Sequence, residues 1–157
     1  MRRIGLPLLL LGLLILPLGC DGDGAESQAG AIRPAVVFPD GWTVQVDLAV
    51  DVYEQARGLM FVEHLPDDRG MLFVYPGDDI RAFYMKNCKI PLDMIWLSAD
   101  GEVVDISPDN PPCEADPCPN IFAERPFRYN LEVRGGLSRD HGLSVGDRLV
   151  FVGIPPG

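Results

Sequence analysis

Signatures of enzymes that can be read from sequence are missing from this chain. It has no G-x-S-x-G nucleophile elbow, no H-E-x-x-H helix and no glycine-rich phosphate loop after a strand. Only two histidines, His64 and His141, are available as bases. Basic residues are scarce: 13 Lys and Arg stand against 23 Asp and Glu, a formal charge of −10. Such a surface repels phosphate backbones and anionic headgroups, which disfavours nucleic acid as a partner. Long apolar runs are also lacking. The longest, Ile4 to Leu18, holds about 15 residues and is interrupted by Pro7 and Pro17, short of the ~20 needed for a helix to cross a bilayer.

What is present at the N-terminus is the order of a secretory signal: Arg2 and Arg3, the apolar run, then Gly19 and Cys20. A small residue directly before a cysteine resembles the bacterial lipoprotein signal, in which the thiol is diacylated and becomes the new N-terminus. Pro17 occupies the place where a branched residue is usual, with Leu16 one step back. The alternative is an ordinary cleaved signal that leaves Cys20 free. On the lipoprotein reading residues 1–19 are the signal and Cys20 is the membrane anchor. Residues 20–32, with little but small and polar residues after Cys20, form a flexible tether. Asp21, directly after the anchor, points to the periplasmic face of the inner membrane if the organism has two. Losing Arg2 and Arg3 with the signal leaves 11 basic against 23 acidic residues, a formal charge of −12, so membrane attachment rests on the lipid.

Residues 33–157 suffice for one domain and one core. Trp42, Val44, Val46, Leu48 and Val50 alternate with mostly polar residues, the period of a half-buried strand. Asp51 and Glu54 have capping-box spacing, and Val52, Ala56 and Leu59 then recur on one helical face, predicting a short helix that ends near Gly58. The runs Met71–Tyr75, Ala82–Met85 and Met94–Leu97 have strand length, and Asp100-Gly101 marks a type I′ hairpin turn before Val103-Val104. Tyr129, Leu131 and Val133 alternate again. A one- or two-turn helix is expected from Leu137 to His141, with Gly142 as its stop, before a final strand through Leu149, Phe151 and Val152. The expected fold is mainly β: a compact, jelly-roll-like β-sandwich or barrel with one or two short helices.

Five ordered blocks carry a family resemblance: Arg57-Gly58-Leu59-Met60, Arg69-Gly70-Met71-Leu72-Phe73, Phe83-Tyr84-Met85-Lys86-Asn87, Ile90-Pro91-Leu92-Asp93-Met94, and Gly142 to Leu149. Together they resemble domain of unknown function 192 across essentially the whole of the expected domain. The resemblance implies a β-sandwich or jelly-roll-like fold with small helices and an activity that is not established. Cys88 stands where threonine or a similar residue is expected, and Tyr84 where tryptophan is common.

Three constellations could carry chemistry. Lys86, Asn87 and Asp93, with Arg57 and Arg69 in neighbouring blocks, lie densely between apolar strands. The plainer reading is an internal Lys86–Asp93 ion pair bracing the Pro91 loop. The functional reading is a pocket for a small polar ligand, with Lys86 and Arg57 as donors, Asp93 and Asn87 as acceptors, and Tyr84 and Trp96 as an apolar wall. Cys113 and Cys118, spaced C-x4-C in a proline-rich loop, read as a disulfide outside the cytoplasm. Cys88 is then the odd thiol, either a small hydrophobe or reactive. A zinc site lacks ligands and a redox pair lacks its helix. Met60, Met71, Met85 and Met94, with His64 and Cys88, are soft ligands of the kind Cu(I) prefers, but their apolar runs make core packing the better account. No metal or other cofactor is expected. A hydrolase could draw a carboxylate pair from Asp93, Asp105 or Glu132, as any acidic chain could. Function therefore reads as a small-ligand-binding or accessory lipoprotein domain of the cell envelope. An envelope hydrolase acting on carbohydrate or peptide and a structural protein–protein interaction module are the alternatives.

Overall fold

The computed structural model describes residues 33–156. The expected signal at 1–19, Cys20 and the whole of the expected 20–32 tether lie outside the described residues. Seven strands form one curled sheet: β1 (Ala35–Val37), β2 (Thr43–Ala49), β3 (Arg69–Asp79), β4 (Leu92–Leu97), β5 (Val103–Asn110), β6 (Phe127–Arg134) and β7 (Val150–Val152). Two short helices are α1 (Val52–Arg57) and α2 (Leu137–Asp140). The strand order is β5-β4-β6-β3-β2-β1-β7, with β2 and β3 parallel and the other neighbours antiparallel. The curl brings the start of β5 against the lead into β7, where Glu102 bridges Arg148 and the Val103 amide donates to the Asp147 carbonyl. The result is the half-barrel form of the mainly β fold expected from the sequence.

Because side chains alternate across a strand, the sheet buries two different cores. One face carries aliphatic residues such as Val44, Val46, Leu72, Ile95, Leu97 and Leu131. The other carries Phe73, Tyr75, Phe83, Met94, Trp96 and Phe127, with Met85 and Leu92. Both faces being covered explains the unbroken apolar runs in β3 and β4. Met85 and Met94 are buried in the second core, and Met71 packs against it.

The helix start is as the spacing predicts. Asp51 Oδ1 accepts from the Tyr53 and Glu54 amides, and Glu54 Oε2 accepts from the Asp51 and Val50 amides. Yet no residue of α1 is buried, and Val52 is 71% exposed. The helix is held by Gln55, whose Nε2 donates to the Val74, Val50 and Ala49 carbonyls. Gly58 ends it at a positive φ of 48°, and a Cβ there would sit 3.1 Å from the Phe73 ring. That close approach sets the helix end over the aromatic face.

Two local expectations are corrected. Ala82–Met85 is not a strand. Phe83 makes a single bridge to Ile121, and its side chain with that of Met85 is buried in the aromatic core without a ladder partner. The Asp100-Gly101 hairpin is real, but only Gly101 has positive φ. The Gly101 amide donates to the Ser98 carbonyl and the Ser98 amide to Glu102. This is the longer hairpin loop with a left-handed glycine rather than the two-residue type I′ turn.

Candidate functional site

The polar cluster expected around Lys86 and Asp93 is divided by the fold. Asp93 is fully buried, and both of its oxygens are occupied. Oδ1 accepts from the Asp109 and Gly136 amides at 2.7 and 2.8 Å, and Oδ2 from the Ser138 amide and hydroxyl at 2.8 and 2.6 Å. These donors come from β5 and from the start of α2, so Asp93 ties that corner together, and neither the expected Lys86–Asp93 ion pair nor a free Asp93 acceptor for a ligand is present. Lys86 instead pairs with Asp116 at 3.1 Å, on the exposed disulfide loop. Asn87, at a positive φ of 59°, donates its side-chain amide to the Met60 sulfur. Lys86 and Asn87 line only a shallow cleft of about 120 Å³ against that loop. Trp96 is 1% exposed inside the aromatic core, edge-to-face with Phe83. Arg69 is occupied by Gln45 and Asp47.

Arg57 and Tyr84 do meet, at a cavity of about 280 Å³ between the end of α1, the segment 81–85 and the aromatic face of the sheet. Phe73, Tyr75, Phe83, Leu59 and Leu92 form its walls, with Arg81, Cys88 and Glu132 among the polar or reactive groups that reach it. Glu132, offered by the sequence only as one of three interchangeable carboxylates with Asp93 and Asp105, is the residue that the fold singles out. It sits in the middle of β6, opposite Met71 of β3 and Met94 of β4, and is 5% exposed. Its Oε1 accepts from Asn130 Nδ2 at 3.1 Å, the only side-chain hydrogen bond it makes among the described residues.

Burial raises the Glu132 carboxyl to about 8, opposed in part by the Asn130 hydrogen bond. At neutral pH it is therefore an uncharged acid able to donate a proton. The same desolvation raises Cys88 to about 11 and Tyr75 to about 12, with Glu132 reinforcing both and Arg81 opposing the shift of Tyr75. Cys88 is thus a half-buried thiol without thiolate character, which favours the hydrophobe reading over the reactive one. Arg81 stacks over the Tyr75 ring at 4.1 Å and donates to the Gly77 carbonyl. The guanidinium of Arg57, an exposed residue, makes no hydrogen bond or ion pair among the described residues.

A second cleft of about 330 Å³ lies beside the loop closed by the Cys113–Cys118 disulfide. Its lining is mostly Pro111, Pro112, Pro119, Ile121 and Met85, with Asn110 and Glu114 as polar residues. It presents no buried charge-bearing group of the kind the first cavity has in Glu132. Size therefore does not choose between them, and chemistry selects the first.

Comparisons with known proteins agree on family. The family model for domain of unknown function 192, described as "Uncharacterized ACR", matches residues 35–151. No curated protein matches. Among solved structures, a protein from Sinorhizobium meliloti 1021, described as a candidate transcription regulator, is similar at 32% identity and a TM-score of 0.69. That similarity covers 78% of this chain and 95% of the other. A protein of unknown function from Novosphingobium aromaticivorans DSM 12444 is similar at 33% identity and a TM-score of 0.68, covering 76% of this chain and 84% of the other.

Proposed function

Because the chain belongs to the domain of unknown function 192 family, whose matched segment contains every wall of the cavity, we propose that it is a small-ligand-binding domain. The binding site is the cavity under α1, and the domain works outside the cytoplasm, tethered to a membrane through lipid on Cys20. The observation that carries the binding reading is the second oxygen of Glu132. It belongs to a nearly buried carboxyl that lines an open cavity, and it takes no hydrogen bond among the described residues. Leaving such an atom unpaired is costly unless a ligand or water meets it.

A hydrolytic reading finds less support. An acid needs a base on the same substrate atom, and the groups around Glu132 offer none. Among the lining residues there is no second carboxylate and no histidine, and the Cys88 and Tyr75 protons are held more tightly than usual. Regulation by DNA contact, suggested by the description of the Sinorhizobium protein, sits poorly with a formal charge of −10.

A thermal-shift screen of the full-length protein against amino acids, sugars, organic acids and peptidoglycan fragments tests the binding reading. A ligand that binds only the folded state raises stability with the logarithm of its concentration. Stabilisation by one class of compound is expected in the wild type and should vanish in Glu132→Ala and Arg57→Ala. If no compound shifts the wild type, or if both variants respond as it does, the cavity is not the site. Labelled fatty acid is expected to enter the wild-type chain in bacterial cells but not Cys20→Ser. Equal labelling of both would remove the anchor.

A further inference from the structure

Charge around Glu132 narrows the class of ligand, if the cavity is the binding site proposed above. The chain is strongly acidic, yet the cationic groups lining this cavity are Arg57 and Arg81 and the acidic one is Glu132. Acids near the rim are already occupied. Glu54 caps its own helix, and Asp47 pairs with Arg69. Arg81 spends donors on the Gly77, Asp79 and Phe127 carbonyls and its face on Tyr75, so it contributes field more than hydrogen bonds. Arg57 keeps its whole guanidinium fork, a planar donor set matched to a carboxylate. The other lining residues are mostly aromatic and aliphatic, and Glu132 joins them with one carboxyl oxygen that takes no hydrogen bond among the described residues.

We infer that the cavity takes a small organic acid. Its carboxylate pairs with Arg57 at the rim, its apolar body lies against Phe73, Phe83 and Leu92, and a hydroxyl or carbonyl at its inner end hydrogen-bonds the Glu132 carboxyl. A volume of about 280 Å³ falls just below the usual range for ligand pockets, roughly 300–1,000 Å³, which suits a single ring or a short branched chain. The raised Glu132 is consistent with this geometry. The groups facing it across the cavity are Arg57, Arg81, Tyr75, Tyr84 and Cys88, and Met71 and Met94 flank it on the neighbouring strands. Among the described residues no other acid lines the cavity, so the proton is kept by burial, and a neutral carboxyl receives an anionic ligand without repulsion. An amine of the same shape would bring a cation beside two arginines.

A matched series separates these cases: 4-hydroxyphenylacetate, its amide and tyramine share one body and differ in charge. Ligand-observed NMR and calorimetry on the full-length protein are expected to rank the acid at least tenfold tighter than the amide, with tyramine weakest. Arg57→Gln should remove the preference for acid over amide. Affinity for the acid should fall as pH rises through about 8, and Glu132→Gln should flatten that dependence. Equal binding of acid and amide, tightest binding of tyramine, or no binding by any of the three would overturn the organic-acid class. In the first two cases, loss of binding in Glu132→Ala would show that the cavity binds ligand and only the class is wrong. In the third, the broader screen decides separately whether the cavity binds anything.

Discussion

Asp93 and Glu132 are both buried acids on adjacent strands, one register step apart, yet they face opposite sides of the sheet. Asp93 pairs with Val133 across the β4–β6 ladder, and Glu132 pairs with Met94. On the aliphatic face, Asp93 receives four hydrogen bonds that tie β4 to β5 and to the start of α2. On the aromatic face, Glu132 receives one and looks into a cavity. A buried carboxylate whose lone pairs are all used is a structural joint. One whose second oxygen is unused is a group held in reserve for something outside the chain. Exposure alone would have classed the two together.

The sharpest way to break this comparison is to remove each joint. Asp93→Ala strands three backbone amides and a hydroxyl in the interior and should cost roughly 4 kcal/mol, or prevent folding. Chemical denaturation measures it, and a loss under ~1 kcal/mol would mean that Asp93 is not a brace. Glu132 should behave in the opposite sense. Its folded value near 8 lies above the ordinary 4.5. Between those pH values the unfolded chain has lost the proton and the folded chain keeps it, so stability falls as pH rises through that window. Glu132→Gln should therefore be nearly neutral at pH 4.5 and stabilising at pH 8.5, by roughly 4 kcal/mol, at the ~1.4 kcal/mol per unit that links pKa to free energy. Denaturation at the two pH values gives the difference, and a variant less stable than wild type at pH 8.5 would contradict a neutral, under-bonded acid.

Smaller effects calibrate the periphery. The Cys113–Cys118 bridge closes a loop with a sequence separation of 5. Replacing both cysteines with serine should cost roughly 2 kcal/mol by loop entropy, read by melting with and without reductant. Lys86→Ala removes an ion pair between half-exposed and exposed side chains, so its cost should stay under ~1 kcal/mol. A larger loss would restore Lys86 to the centre of the fold.

Legibility in the sequence followed the range of the interaction concerned. The β2 alternation, the Asp51–Glu54 capping box, the Gly58 stop and the C-x4-C bridge each depend on neighbours a few residues away, and each appears where its spacing places it. Asp93 was legible as a brace but not its partners, because three of its donors are backbone amides that no side-chain pattern advertises. Glu132 was obscured by β6 itself. Tyr129, Leu131 and Val133 alternate with Asn130 and Glu132, which reads as an inner and an outer face, yet Asn130 is fully buried as well. A signal did exist in the neighbouring strands. Met71–Tyr75 and Met94–Leu97 are apolar at both phases, so the sheet is covered on both sides there. Only the strand order, with β6 between β3 and β4, transfers that inference to Glu132.

The most direct test of the account is the titration of Glu132 itself, followed by the 13C shift of its carboxyl carbon from pH 4 to pH 10, with Glu132→Gln used to assign the resonance. A midpoint near 8 is the predicted result, moved upward by a saturating ligand that accepts the carboxyl's hydrogen bond. A midpoint near the ordinary carboxyl value of 4.5 would mean a charged, solvated glutamate, and the cavity would lose the feature that distinguishes it from the other depressions of the surface.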